Sequence, residues 1–352
     1  MFKTLPTDCS KLFFARLNAS ARKTKFIIRN SQKFSAAGYL FALINAVLTG
    51  KASFNQLAMG LKHSEPLSLT KQAVWKRTDA LAVAFMLKAL TLALLEQWQK
   101  VPCKIPALKR HFGRVLVQDS TQQKLPKSNH DHFPAHGNGK SVTSGVKVDL
   151  AIDLIHGRAI FSQLYSATEQ DRDLGKNLVD LVKKRDLILR DRGYFILQEF
   201  AYIEAKKAFW LSRVPSNLII HNLDGGKLDD HLRSCQNGIL DLTVKLGETG
   251  HQARLVAIRA TAAVAEKNLR EAKEQARLKG KTLSQSRALR CGWHLVVTNI
   301  PKEKMSASSV SELYRCRWNI EIVFRAWKQS ANLDKALNRK SNEDHFQVLM
   351  LA

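Results

Sequence analysis

The sequence predicts a mixed α/β protein in three parts: a helical N-terminal region (1–105), a sheet domain (106–352) and a β-rich insertion within it (216–292). Three observations predict this. Residues 1 to about 105 carry helical patterns rich in Ala, Leu and Phe. From residue 114, short apolar runs bounded by turn signals read as strands. Those strands alternate with amphipathic stretches of helical length, the pattern of an α/β sheet.

In the N-terminal region, Ser35–Leu48 is an apolar helix and Ser53–Leu61 a short amphipathic one. A break at His63–Ser68, with Pro66, precedes a helix over Leu69–Ala84. Helix, break, then a helix opening Thr-Lys-Gln-Ala-Val-Trp-Lys-Arg is the outline of a helix-turn-helix. Lys71, Gln72, Lys76 and Arg77 would then meet phosphates and base edges. A plain helical hairpin with solvated cations has the same outline, and the break is longer than a tight turn.

Arg114–Gln118 is a buried-strand pattern ending at Asp119. Lys124–Lys140 is polar, holds two prolines and two glycines, and reads as a loop. Val146–Ile155 and Ala159–Tyr165 are strands joined by the hairpin signal His156-Gly157-Arg158. Asp171–Lys184 is an amphipathic helix. Leu187–Leu189 is a strand leading into Arg190-Asp191-Arg192-Gly193. Phe195–Lys207 is a helix and Phe209–Val214 a strand. Three strands, helix, strand, helix, strand, with a closing helix, fit an RNase H-like sheet.

The insertion carries strand patterns at Ile239–Leu246 and Gln252–Ala260, joined by Gly247–Gly250, and a long charged helix at Thr261–Lys279. The sheet resumes at Trp293–Thr298. The stretch Tyr314–Lys328 reads as one helix, with Ser309 and Glu312 as a capping box. Leu313, Cys316, Ile320, Val323 and Trp327 form its apolar stripe. Tyr314, Arg317, Glu321 and Lys328 fall within an arc of roughly 60° at about 100° per residue. One carboxylate among a phenol and two cations looks like a metal ligand beside phosphate clamps.

Composition narrows the partner. Against 30 Asp plus Glu stand 56 Lys plus Arg, a net charge of +26 on 352 residues. Such a field favours a polyanion, either nucleic acid or an anionic membrane. No apolar run reaches the roughly 18–20 residues that span a bilayer, and no basic amphipathic anchor stands out. The expectation is a cytoplasmic protein that binds nucleic acid and has no membrane role. The five cysteines have no metal-type spacing and read as reduced and structural.

Mg²⁺ takes hard oxygen ligands, so two-metal phosphodiester sites are built from carboxylates. In α/β sheets ligands gather at the carboxyl ends of strands. Asp119 and Asp191 each close an expected strand, and Glu321 sits on the helix after the sheet. Singly, each has an ordinary explanation, since Asp at a strand end is common turn chemistry. Asp149, Asp153, Glu169, Asp171 and Asp173 compete for the same role.

The spacing of Tyr314, Arg317, Glu321 and Lys328 resembles the Tyr-Arg-Glu-Lys signature of bacterial insertion-sequence transposases of the DDE class. Val117-Gln118-Asp119-Ser120-Thr121 is similar to that family's first-aspartate strand. Arg190-Asp191-Arg192-Gly193-Tyr194 is similar to its second-aspartate motif. The β-rich insertion, and Trp293 opening the strand after it, resemble the same group. The resemblance runs from about residue 50 to residue 350. It implies a catalytic triad of Asp119, Asp191 and Glu321 holding two Mg²⁺ ions, with Mn²⁺ able to substitute. It implies that Tyr314, Arg317 and Lys328 grip phosphates at the transposon end. It also implies that a base flipped from the duplex stacks on Trp293, with a hairpin intermediate in many family members; base–aromatic stacking returns about 1–3 kcal/mol. The partners implied are double-stranded DNA, at transposon ends and at the target, and a second subunit in a homodimer, with the protein nucleoid-associated.

The sequence stops at Ala352 inside the apolar run HFQVLMLA, which looks like a helix cut short, whereas the family continues with helices that pair two subunits. The expectation is therefore cut-and-paste transposition, with one rival in a truncated, non-catalytic DNA-binding remnant and another in a nuclease of the same fold.

Overall fold

The computed structural model describes residues 7–29, 34–50, 53–64, 69–98, 108–125, 127–137, 142–215, 218–223, 225–330 and 343–351. The chain opens with helices α1 (Thr7–Lys23), α2 (Ala36–Leu48), α3 (Phe54–Ser64), α4 (Lys71–Arg77) and α5 (Ala80–Trp98). Then come β1 (Val115–Leu125), β2 (Ser144–Asp153), β3 (Arg158–Ser166), α6 (Asp171–Val179), β4 (Leu187–Arg190), α7 (Leu197–Ala205) and β5 (Phe209–Arg213). The block that follows holds β6 (Ile220–Asn222), α8 (Leu228–Ser234), β7 (Ile239–Leu246), β8 (His251–Arg259), α9 (Ala262–Leu278) and α10 (Gln285–Arg290). Strand β9 (Trp293–Thr298) and helices α11 (Ala307–Arg315), α12 (Trp318–Ser330) and α13 (Glu343–Leu351) close the chain.

Two compact units result. The first comprises Met1–Lys104, Asp119–Gln170 and Ile320–Ala352; the second comprises Ile105–Gln118 and Asp171–Asn319.

In the first unit, Ser35 caps α2 by accepting from the Gly38 N–H at 3.0 Å, as an N-cap serine should. The apolar face of α2 buries Tyr39, Leu43 and Val47. The rings of Phe26 and Phe85 stack at 4.8 Å in the same core. The expected Leu69–Ala84 helix is instead two. Thr78 Oγ1 donates to the Val74 carbonyl at 3.0 Å. Asp79 Oδ1 accepts from the N–H groups of Leu81 (3.0 Å) and Ala82 (3.1 Å). Short polar side chains that bond the local backbone end one helix and cap the next. Part of the His63–Ser68 break lies outside the described residues, and α3 runs on to Ser64.

Strands β2 and β3 pair antiparallel from Val146↔Ser166 to Asp153↔Arg158. Gly157, at φ +58°, makes their turn, a conformation that costs glycine little. Strand β1 corrects the sequence reading. It does not end before Asp119 but continues to Leu125. From Thr121 to Leu125, odd positions turn inward and even positions face solvent. That is strand periodicity, hidden because the residues between Thr121 and Leu125 are all polar.

In the second unit, the start of β1 pairs parallel with β4, and β4 pairs parallel with β5. The strands of this part are near-continuous apolar runs, as a sheet buried on both faces requires. Leu187, Ile188, Leu189 and Trp210 are fully buried. Beyond β5 the pairing turns antiparallel, in the order β9, β8, β7, β6. The β-rich block thus adds strands to the sheet, with β9 between β5 and β8. Its short helices α8 and α10 carry no pattern that the sequence reading picked up.

The Tyr314–Lys328 stretch is also two helices. Cys316 and Arg317 form a turn between α11 and α12. The N–H groups of Cys316, Arg317 and Asn319 bond carbonyls three residues back, the tighter 3₁₀ pattern. Asn319 Nδ2 donates to the Cys316 carbonyl at 2.7 Å. The cap of α11 is Ser306, which accepts from the Ser309 N–H at 3.3 Å, rather than Ser309. Tyr314, Arg317, Glu321 and Lys328 therefore do not share one continuous helical face.

Candidate active site

The second unit gathers Asp191, Tyr314 and a set of arginines. Asp191 follows the last residue of β4 and opens a 3₁₀ turn over Arg192–Tyr194. Arg190 braces that turn from inside the protein. Fully buried, it donates to the carbonyls of Tyr194 (3.0 Å) and Gly175 (2.8 Å) and pairs with Glu199. A buried guanidinium with this many partners holds its surroundings rigidly. A β-carbon on Gly193 would stand 3.3 Å from Asp171 Oδ2, so the turn packs closely against α6.

Tyr314, from the last turn of α11, donates its phenol proton to Asp191 Oδ1 at 3.3 Å. Burial first, then the charge of Asp191, pushes the Tyr314 phenol above its usual range, so it stays protonated and remains a donor. Asp191 Oδ2 makes no hydrogen bond among the described residues.

Parallel pairing brings Arg213 to the same place. Arg190 is paired with Ser212, so the next residues, Asp191 just past β4 and Arg213 still paired with Val296 of β9, lie side by side. Burial, followed by the neighbouring charge of Arg192, lowers the Arg213 guanidinium, and Arg317 adds to the crowding. His294 on β9 is also lowered, by burial first and then by Arg213 and Arg315. The sequence reading included Arg317 but passed over Arg192, Arg213 and His294. Arg213 fell within the expected strand Phe209–Val214, but the pairing that sets this strand beside the one leading to Asp191 is seen only in the structure.

Trp293 is 6% exposed. The guanidinium of Arg259 lies 4.9 Å from its ring centroid, so a cation already covers part of the indole. The ring also lines a cleft of 170 Å³.

The other expected residues lie in the first unit. Asp119 is half-buried, and its Oδ1 accepts from the Ser120 N–H at 2.9 Å. Glu321 is half-buried in the first turn of α12, and Lys328 is exposed near its end. Both placements also suit the helix dipole. Lys71, Gln72, Lys76 and Arg77 are exposed on α4. Arg77 lies over the Phe34 ring at 4.6 Å.

Among the described residues, no group of three or more His, Cys, Asp or Glu side chains is placed to hold a metal ion. Asp119 and Glu321 fall in one unit and Asp191 in the other. Each of the three is a carboxylate, the hard oxygen donor that Mg²⁺ takes, and none is sealed in the core.

The model of the transposase DDE domain matches residues 110–352 of this chain. The transposase for insertion sequence element IS231F of Bacillus thuringiensis subsp. israelensis is 27% identical, over 96% of this chain and 75% of its own length. The IS231B transposase of B. thuringiensis subsp. berliner is 26% identical, over 91% and 71%. The IS1151 transposase of Clostridium perfringens is 27% identical, over 89% and 70%. Among solved structures, a piggyBac transposase synaptic complex with hairpin DNA aligns over 98% of this chain and 73% of its own, at 13% identity. The TM-score of that alignment is 0.40.

Proposed function

Because the chain belongs to the transposase DDE domain family, we propose that it is a DNA transposase of a bacterial insertion sequence, of the Tyr-Arg-Glu-Lys subgroup, that cuts and joins DNA at terminal inverted repeats. The observation that carries this reading is the hydrogen bond between Tyr314 and Asp191 amid Arg192, Arg213 and Arg317. It joins two separate motifs of the chain, 123 residues apart, around one carboxylate in a field that attracts phosphate. The family match also spans all three acidic positions, which favours a catalytic protein over a DNA-binding remnant.

In this reading the sheet is the RNase H-like core, and Asp119, Asp191 and Glu321 are the catalytic carboxylates. They would hold two Mg²⁺ ions, which neutralise phosphate charge and acidify the attacking water or hydroxyl. The chain's own residues do the rest. Tyr314 fixes the Asp191 carboxylate through its phenol proton. Arg317 and Lys328 take phosphate oxygens by charge-assisted hydrogen bonds, and Trp293 offers an aromatic face to a base. Hydrolysis at the repeat end frees a 3′-hydroxyl. That hydroxyl then attacks the opposite strand, which closes a hairpin and releases the flanking DNA; a second water opens the hairpin, and the regenerated 3′-hydroxyl attacks the target DNA. Each step is an in-line displacement at phosphorus, so one site serves all of them. The active form is a homodimer on two transposon ends, working in the cytoplasm at the nucleoid.

The test is cleavage of a labelled duplex carrying the inverted repeats that flank the gene, with Mg²⁺ and with EDTA, by wild type and by Glu321→Gln. The expected result is nicking at the repeat end with Mg²⁺ alone, lost in the variant, while end binding is retained. Metal-dependent cleavage by Glu321→Gln would overturn the carboxylate assignment. Binding without nicking by either protein would point to the remnant.

A further inference from the structure

The 170 Å³ cleft that Trp293 lines has walls of two origins. One comes from the sheet edge: Arg192, directly after Asp191, and Arg213 at the end of β5. The other comes from the insertion: α9 with Glu271, and α10 with Arg287 and Arg290. Four arginines thus face one glutamate. Arg290 is engaged by Asp229 at 3.1 Å. Among the described residues, Arg192, Arg213 and Arg287 make no ion pair. The Arg287 guanidinium donates to the neutral amide of Gln275, at 3.2 Å.

Crowded guanidinium groups repel one another; Arg213 is lowered first by burial and then by Arg192, with Tyr314 and Asp191 acting the other way. Charge left uncompensated in a concave site is relieved by an anion. The insertion wall is also fixed in place, because Asn268 of α9 donates to the Cys291 carbonyl just before β9, at 3.1 Å. Such a wall can meet an anion without first being ordered.

We infer that the insertion builds a second phosphate-binding site for the DNA strand, in which Arg287 closes on a backbone phosphate from the side opposite Arg192 and Arg213. The choice of DNA as the anion rests on the transposase reading. The site gives the β-rich insertion a direct part in holding the strand beside the Asp191 turn.

Anisotropy of a labelled duplex with the flanking repeat, titrated with the full chain over a series of salt concentrations, tests this. Losing one phosphate contact lowers the slope of log K against log salt by about 0.9. Arg287→Gln should show that loss and Arg287→Lys should largely retain the wild-type slope. Arg270→Gln, on the exposed face of α9 outside this cleft, should match wild type. A wild-type slope in Arg287→Gln would overturn the inference, as would an equal loss in Arg270→Gln, which would mean a diffuse field. Inorganic phosphate alone, followed by tryptophan fluorescence, separates the sources: saturable quenching with an unchanged DNA slope would assign the cleft to a free anion and overturn the DNA assignment. If end cleavage fails while Arg287→Gln still lowers the slope, the phosphate site stands and the transposase reading falls. If cleavage is intact and Arg287→Gln binds like wild type, only the present inference falls.

Discussion

At the scale of the residue, the second unit carries titratable groups held away from their ordinary ranges by crowding. His294 is one. Burial, then Arg213 and Arg315, depress its folded pKa below the ordinary 6.5. As pH falls below about 6.5, the unfolded chain takes up this proton before the folded chain does. Stability contributed by the neutral imidazole is therefore present above that pH and is lost as pH falls through the lower folded value. His294→Gln should remove this component, so the gap between its denaturation midpoint and that of wild type should shift between pH 7.5 and pH 5.5. An equal gap at both values of pH would show that the imidazole titrates normally. The depression was not readable from the sequence, since Arg213 is far from His294 along the chain and meets it only across the β5–β9 pairing.

At the scale of the element, the helix termini were the least legible feature. The apolar stripe through Leu313 and Ile320 predicted helix correctly, and both residues are buried. The break at Cys316 and Arg317 depends on local hydrogen bonds that an apolar stripe does not encode. The approach to α11 is set by Arg254 of β8. It is 6% exposed, pairs with Asp241 through bonds of 2.9 and 2.8 Å, and donates to the carbonyls of Ile300, Pro301 and Met305. It thereby ties the insertion's sheet to the segment that leads to Tyr314. Arg254→Met would leave Asp241 and three carbonyls without this donor and should cost roughly 3 kcal/mol. Chemical denaturation measures that loss, and a change within about 0.5 kcal/mol, typical of surface substitutions, would deny Arg254 this role.

At the scale of the whole molecule, the net charge of +26 sets the association with DNA. Its salt dependence counts the phosphates that are met. Lys76 and Arg77 are exposed at the end of α4, beside a half-exposed Trp75. Changing both to Ala should weaken binding to DNA and lower the salt slope by up to about 2. An unchanged slope would mean that this helix does not touch DNA.

The sequence by itself determined the succession of strands and helices from β1 to β5, the hairpin at Gly157, the two strands that flank Gly247–Gly250, and the strand that starts at Trp293. These follow from local signals: period, turn residues and apolar runs. It also picked out Asp191, Tyr314 and Arg317 by motif. Tertiary structure alone decided that β1 runs through Asp119 rather than stopping before it, because pairing can carry polar residues along a strand that composition disguises. It also decided that Tyr314 bonds Asp191, that Arg213 joins them, and that Arg287 and Arg290 line a cleft with Arg192. Each of these depends on strand register and packing between segments distant in sequence, and such contacts leave no period or spacing to read.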